Sequence, residues 1–121
     1  MRLPNPERAV VDAAKVRDYL LSFEHPVGRF KAAVFASVGY TRDSWPVLQA
    51  DLLDSALIDG ASLGVTTLYG QSFRLPAMLK GPKGRLLSVM TLWFVRADED
   101  FPRLVTVYPG GRRWGTKSGT R

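Results

Sequence analysis

The spacing of apolar residues divides the chain into a helical first half and an extended second half. Before Asp59, apolar residues recur every three or four positions in three stretches, which predicts three amphipathic helices over about 13–22, 26–38 and 44–58. Pro26 is a good first residue for the second helix, and Asp12 and Ser44 are candidate N-caps for the other two. On the second helix, the expected buried stripe consists of Phe30, Ala33, Val34, Ser37 and Val38.

After Asp59 the pattern changes to one that is typical of strands. The predicted strands are residues 73–80, 85–95 and 103–108, with Leu63 to Tyr69 as a further candidate. Pro76 has no N–H to donate, so its strand is expected to lie at an edge or to carry a bulge there. Residues 85–95 are apolar on both faces, which predicts a central strand covered on both sides. A hairpin loop over 81–84 joins these two strands.

Helices followed by strands predict an α+β fold, with about three N-terminal helices packed on a three- to four-stranded antiparallel sheet. We expect one compact domain over residues 1–109. A basic tail over residues 110–121 is expected to be disordered, since it is rich in glycine and charge.

Composition restricts the classes of function. The chain has no cysteine, so thiolate catalysis and disulfides are excluded. It has one histidine and scattered acids, and we expect neither a metal site nor a cofactor. No apolar run approaches the roughly 20 residues of a membrane span, and the first residues lack the apolar stretch of a signal peptide. We therefore expect a cytoplasmic protein that does not interact with membranes.

The net charge of +6 is unevenly distributed. Between Gly60 and Arg96 there are basic residues and no carboxylate, and the tail after Gly110 adds four more basic residues and no acid. Such a bias favours a polyanionic partner such as RNA, although a basic surface can also serve only to keep a protein in solution.

Two residues around the start of the second helix are candidates for chemistry. His25 is placed either to act as a general base beside the helix N-terminus or to cap it through backbone hydrogen bonds. Lys31 falls within the apolar arc of the helix, so its ammonium either reaches past the core to water or binds an anion at a site. Arg29 lies about 160° away from Lys31 around the helix, on another face.

The predicted strands and turns carry further polar candidates. Thr106 and Tyr108 share one face of their strand by the period of two, and Arg103 is expected to point to the other face. Thr91 lies among apolar residues of the central strand, and Tyr69 and Gln71 lie in a loop or bulge that could bring them towards the sheet.

Several runs resemble an uncharacterised bacterial domain family, whose members occur as small proteins and at the C-termini of polymorphic-toxin-like proteins. The runs are Leu3-Pro4-Asn5-x-Glu7-Arg8-Ala9-Val10-Val11, Lys15-x-x-x-Tyr19-Leu20-Leu21, His25-Pro26-Val27-Gly28-Arg29-x-Lys31-Ala32-x-x-Phe35, Tyr69-Gly70-Gln71, Gly81-Pro82-x-Gly84 and Phe101-Pro102-Arg103-Leu104-Val105-Thr106-x-Tyr108. The order of elements is also similar to that of ribonuclease toxins of the barnase, colicin and RelE type, which is a likeness of fold only.

Two functions follow as hypotheses. The first is a metal-independent endoribonuclease of a toxin system, with a cognate antitoxin or immunity protein as partner. Its catalytic candidates are His25, Lys31, Arg103, Thr106 and Tyr108, and its substrate-binding candidates are Arg29, Tyr69, Gln71 and Thr91. The second is a non-catalytic module that binds a protein partner or nucleic acid through its basic surface.

Overall fold

A computed structural model describes residues 1–110 of the 121-residue chain, so the predicted tail lies outside the described residues. Helix α1 begins as an α-helix over Ala13–Lys15 and continues as a π-helical turn over Val16–Leu20. Helices α2 and α3 span Gly28–Ser37 and Trp45–Ser55, and a short 3₁₀ turn over Pro6–Arg8 precedes them. The strands are β1 Ser62–Thr67, β2 Gly70–Lys80, β3 Leu86–Arg96 and β4 Arg103–Pro109. The predicted α+β order is confirmed.

The four strands form one antiparallel sheet in the order β1-β2-β3-β4. Strand β1 pairs with β2 only between Gly70 and Arg74, so at Pro76 strand β2 has β3 as its single neighbour. The missing N–H of Pro76 therefore falls where β2 is an edge, as the sequence predicts. Strand β3 is interior, also as predicted.

The helices cover one face of the sheet and build a single core with it. Its largest fully buried side chains include Trp93, Tyr40, Phe35, Leu20, Leu48, Leu52 and Leu75. The buried positions of α2 are Gly28, Ala32 and Phe35. The predicted stripe of α2 is wrong for Phe30, Ala33, Val34 and Ser37, which are exposed; Phe30 retains 66% of its surface. Apolar residues extend around a wide part of this helix. The close contact between α2 and α1 at Gly28 determines which of them are buried.

Within residues 1–110 no helix covers the second face of the sheet, which is called the open face below; this corrects the expectation that β3 is covered on both sides. Met90, Leu92 and Phe94 lie on this face and are only partly buried.

A bulge in β4 changes which side chains share a face. The register passes from Leu92–Thr106 to Trp93–Leu104, so Val105 is an extra residue. Paired residues of neighbouring strands lie on the same face, and Arg103 pairs with Phe94. Arg103 therefore lies on the open face together with Thr106 and Tyr108, and the expectation that it points to the opposite face is wrong.

A buried hydroxyl links two strands within the core. Thr91 Oγ1 donates to the Leu75 carbonyl oxygen at 2.6 Å and accepts from the Trp93 indole N–H at 2.8 Å. We expect Thr91→Val to lower the free energy of unfolding by about 1–3 kcal/mol, because it leaves the buried indole N–H without its acceptor. Urea denaturation measures the change, and Thr91→Ser, which keeps the hydroxyl, should lose only about 1 kcal/mol. Equal stability of the valine variant and the wild type would contradict this account.

Candidate functional site

The amine of Lys31 joins the helical layer to the edge strand β4. Its Nζ donates to Tyr19 Oη at 2.9 Å and to Thr106 Oγ1 at 2.7 Å. It also lies 4.9 Å from the centre of the Tyr19 ring and 4.6 Å from that of the Tyr108 ring. His25 packs edge-on against the Tyr19 ring, with 4.8 Å between ring centres. These five residues, Tyr19, His25, Lys31, Thr106 and Tyr108, are called the Lys31 cluster below.

Tyr19 owes its position to the π-helical turn. One extra residue per turn shifts the side chains of a helix around its axis, and such turns are frequent at functional sites. The turn is anchored on its outer side by Asp18, which accepts hydrogen bonds from Arg17 and Arg42. These bonds hold the pKa of Asp18 at about 2, so that its carboxylate is ionised and paired.

The start of α2 packs directly on the backbone of this turn. A Cβ at Gly28 would lie 2.0 Å from the carbonyl oxygen of Tyr19, which is less than any real contact allows. Glycine at this position therefore lets the two helices approach closely enough for Lys31 to reach Tyr19.

The electrostatics of the cluster favour ionisation of Tyr19. Burial of the phenol raises its pKa, but hydrogen bonds with Lys31 and Thr106 and the charges of Lys31 and Lys15 outweigh it. The pKa of Tyr19 consequently lies below the ordinary value of 10.0. A phenol of this kind can exchange a proton with a bound ligand more readily than an exposed tyrosine.

His25 caps the start of α2. Its Nδ1 accepts hydrogen bonds from the backbone N–H groups of Val27 and Gly28, each at 3.0 Å. In the neutral ring the proton is therefore on Nε2, which can donate to a ligand. The geometry agrees with the capping interpretation of this residue, and a part in proton transfer stays a prediction.

Tyr108 stands where two surface grooves meet. The smaller groove, of about 230 Å³, lies between α2 and β4 and is lined by Phe30, Lys31, Val34, Tyr108 and Pro109. The larger groove, of about 630 Å³, lies on the open face of the sheet and is lined by Gly60, Ser62, Arg74, Pro76, Met90, Leu92 and Tyr108. A ligand bound at Lys31 can thus extend onto the sheet past Tyr108.

Of the predicted catalytic residues, the structure brings together His25, Lys31, Thr106 and Tyr108. Arg103 is engaged elsewhere, in a two-point ion pair with Glu99 at 2.8 and 2.9 Å. The hydrogen bonds with Arg103 lower the pKa of Glu99, and those with Glu99 raise the pKa of Arg103. A catalytic role for Arg103 would require this pair to open.

The predicted substrate-binding residues do not join the Lys31 cluster. Arg29 is exposed and stacks on the neighbouring Phe30 ring, with 4.8 Å to its centre. Tyr69 and Gln71 lie near the opposite edge of the sheet, where Gln71 holds the irregular β1–β2 pairing through the carbonyl groups of Gly64 and Ser72. Thr91 is enclosed in the core. Their roles in binding stay predictions.

Tyr19 is the member of the cluster that the sequence pattern did not single out. It falls at helical spacing from Val16 and Phe23, so it is indistinguishable from an ordinary core residue. The feature of the sequence that could have pointed to Tyr19 is its position close to three charged residues on a short helix, namely Lys15, Arg17 and Asp18.

Among residues 1–110, no group of three or more acidic or histidine side chains is arranged to hold a metal ion. None of the helices in the same part of the chain is long and apolar enough to cross a membrane.

Comparison with solved structures finds the same fold in a bacterial protein. A chain of the contact-dependent growth inhibition toxin–immunity protein complex from Klebsiella pneumoniae 342 superposes with a TM-score of 0.67. The match covers 83% of this chain and 98% of that chain, at 19% sequence identity. At this identity the likeness establishes the fold alone and assigns no role to individual residues of this chain.

Comparison of the sequence with curated proteins and with protein families gives two results. No curated protein matches the chain. Nearly the whole described part does match one family, since residues 2–111 fit the profile of the domain of unknown function DUF6883, and the protein therefore belongs to that family.

Proposed function

We propose that this protein is a toxin-type endoribonuclease that cleaves RNA without a metal ion. The observation that carries the proposal is the Lys31 amine held between Tyr19 Oη and Thr106 Oγ1. Cleavage by 2′-hydroxyl attack needs a group that takes a proton and a cation that stabilises the charge on the pentacoordinate phosphate. The cluster offers both kinds of group within one hydrogen-bonded unit.

Four residues of the cluster have a part in this chemistry. Tyr19, as a phenolate, takes the proton of the 2′-hydroxyl, and the 2′ oxygen then attacks phosphorus. The bond from phosphorus to the 5′ oxygen breaks, and solvent protonates the leaving oxygen. The products are a 2′,3′-cyclic phosphate and a 5′-hydroxyl. Lys31 binds the phosphate, Thr106 orients Lys31, and the Nε2–H of His25 donates to a phosphate oxygen.

The biological setting follows from the structural relative. That structure pairs a growth inhibition toxin with its immunity protein. By analogy with that pairing, we propose that this chain is restrained by a cognate antitoxin or immunity protein, and its own site supports cytoplasmic RNA as the substrate.

The test is cleavage of a mixed-sequence RNA in EDTA across about pH 6 to 10. We expect cyclic-phosphate ends and a rate that rises with pH through an ionisation below the ordinary tyrosine value, because the ionised form of Tyr19 is the active one. Tyr19→Phe should lose this rise and cleave about 10²-fold more slowly.

The matched control is Tyr69→Phe, which removes a phenol hydroxyl from an exposed tyrosine at the other edge of the sheet and should keep the rise of the rate with pH, whatever it does to RNA binding. RNA that stays intact at every pH would exclude the enzyme and leave the alternative, a non-catalytic module that binds a protein partner or nucleic acid.

A further inference from the structure

The open face of the sheet carries charged residues in a pattern that the face covered by the helices lacks. The strand register places cations from three strands on this face, namely Arg74, Lys80, Arg96 and Arg103, and no strand carboxylate. Acids approach two of these cations from outside the strands: Glu99 of the β3–β4 loop forms ion pairs with Arg103 and Arg96, and the charges of Asp98 and Asp12 also act on Arg103, whereas Arg74 and Lys80 lie apart from this group. The face is therefore complementary to a chain of negative charges.

The middle of the same face is apolar. Pro76, Met90 and Leu92 line the 630 Å³ groove together with Arg74 and Tyr108. An apolar surface beside a cation suits an unstacked base with an adjoining phosphate. A duplex hides the faces of its bases, so it could use only the charges.

We propose that the open face binds a single strand of RNA, with one base in the groove between Arg74 and Tyr108 and the adjoining phosphate at Lys31. This rests on the proposed function, because it names the form of RNA that reaches the Lys31 cluster. Tyr108 lines both grooves, so the RNA strand would pass this side chain between the base in the larger groove and the phosphate at Lys31.

The experiment measures binding by fluorescence anisotropy with a labelled 2′-O-methyl RNA strand, which lacks the attacking hydroxyl and cannot be cleaved by this chemistry. We expect Arg74→Ala to weaken binding about three- to tenfold and to reduce the salt dependence by about one phosphate contact. Leu92→Thr should weaken binding about tenfold through lost base contact, with little change in salt dependence.

Arg85→Ala is the matched control, since it removes the same charge from an exposed position in the β2–β3 hairpin loop, and Arg85 does not line the groove. It should bind RNA as the wild type does. Equal binding of the duplex, full competition by polyglutamate, or no effect of both sheet variants would each overturn the proposal. If the wild type cleaves RNA and both sheet variants bind RNA as the wild type does, the proposed binding surface is refuted and the proposed enzyme is not. If the sheet variants bind RNA more weakly but the wild type cleaves no RNA, the proposed enzyme is refuted and the binding surface is not.

Discussion

Replacing Lys31 with methionine is expected to slow RNA cleavage about 10²–10³-fold, the usual cost of removing one group that stabilises charge in a transition state. Methionine keeps an unbranched apolar stem of similar length, so the packing between α2 and β4 should persist. The loss would come from the ammonium alone, which is the one cation that the structure places between Tyr19 and Thr106. A single-turnover cleavage assay measures the effect.

Lys83→Met is the matched control, because Lys83 is an exposed lysine in the β2–β3 hairpin loop. It should change the rate no more than a few-fold, through the general attraction of RNA. Lys31→Arg should recover only part of the activity, since a planar guanidinium does not fit the place of a compact ammonium. Undiminished cleavage by the methionine variant would show that the phosphate binds elsewhere, with Arg103 the next candidate.

The second large effect is expected from Gly28→Ala. The added methyl group would lie 2.0 Å from the Tyr19 carbonyl oxygen, and a backbone atom cannot rotate away as a side chain can. Helix α2 must therefore move off α1. We expect a loss of about 2–3 kcal/mol in the free energy of unfolding, as is usual for overpacking. Because Lys31 moves with the helix, cleavage should also fall about 10²-fold.

Ala33→Ser provides the control on the same helix, since it adds one heavy atom at an exposed position. Its stability should stay within about 0.5 kcal/mol of the wild type. Urea denaturation and the cleavage rate are measured on both variants. Wild-type values for Gly28→Ala in both assays would mean that the site does not depend on this contact.

The order of elements could be predicted from the sequence because the apolar period changes at Asp59 and Gly or Pro residues interrupt the pattern between most of the elements. The grouping of Lys31 with Thr106 and Tyr108 could also be predicted from the sequence, because a lysine on the apolar face of a helix needs polar partners when that helix packs on a sheet. These inferences need only local spacing and general rules of packing.

The remaining features depend on contacts between distant parts of the chain. The buried face of α2 is chosen by its contact with α1 at Gly28, although Phe30 and Val34 are as apolar as the residues that are buried. The position of Tyr19 depends on a π-helical turn that the spacing of residues 16–20 does not reveal. The face of Arg103 depends on the bulge at Val105, which breaks the alternation from which its direction was inferred.

The two edges of the sheet are unequal in their tendency to recruit another strand. Strand β4 is bent at Val105, ends in Pro109 and is bridged at Arg103 by Val10, three features that hinder pairing with a foreign chain. Strand β1 has an irregularity of its own between Leu63 and Thr66, but within the described chain it contains no proline and no other segment bridges it, and Val65 retains 68% of its surface. Self-association of the concentrated protein through a sheet edge would therefore begin at β1, and a charged residue in place of Val65 is the change that would suppress it.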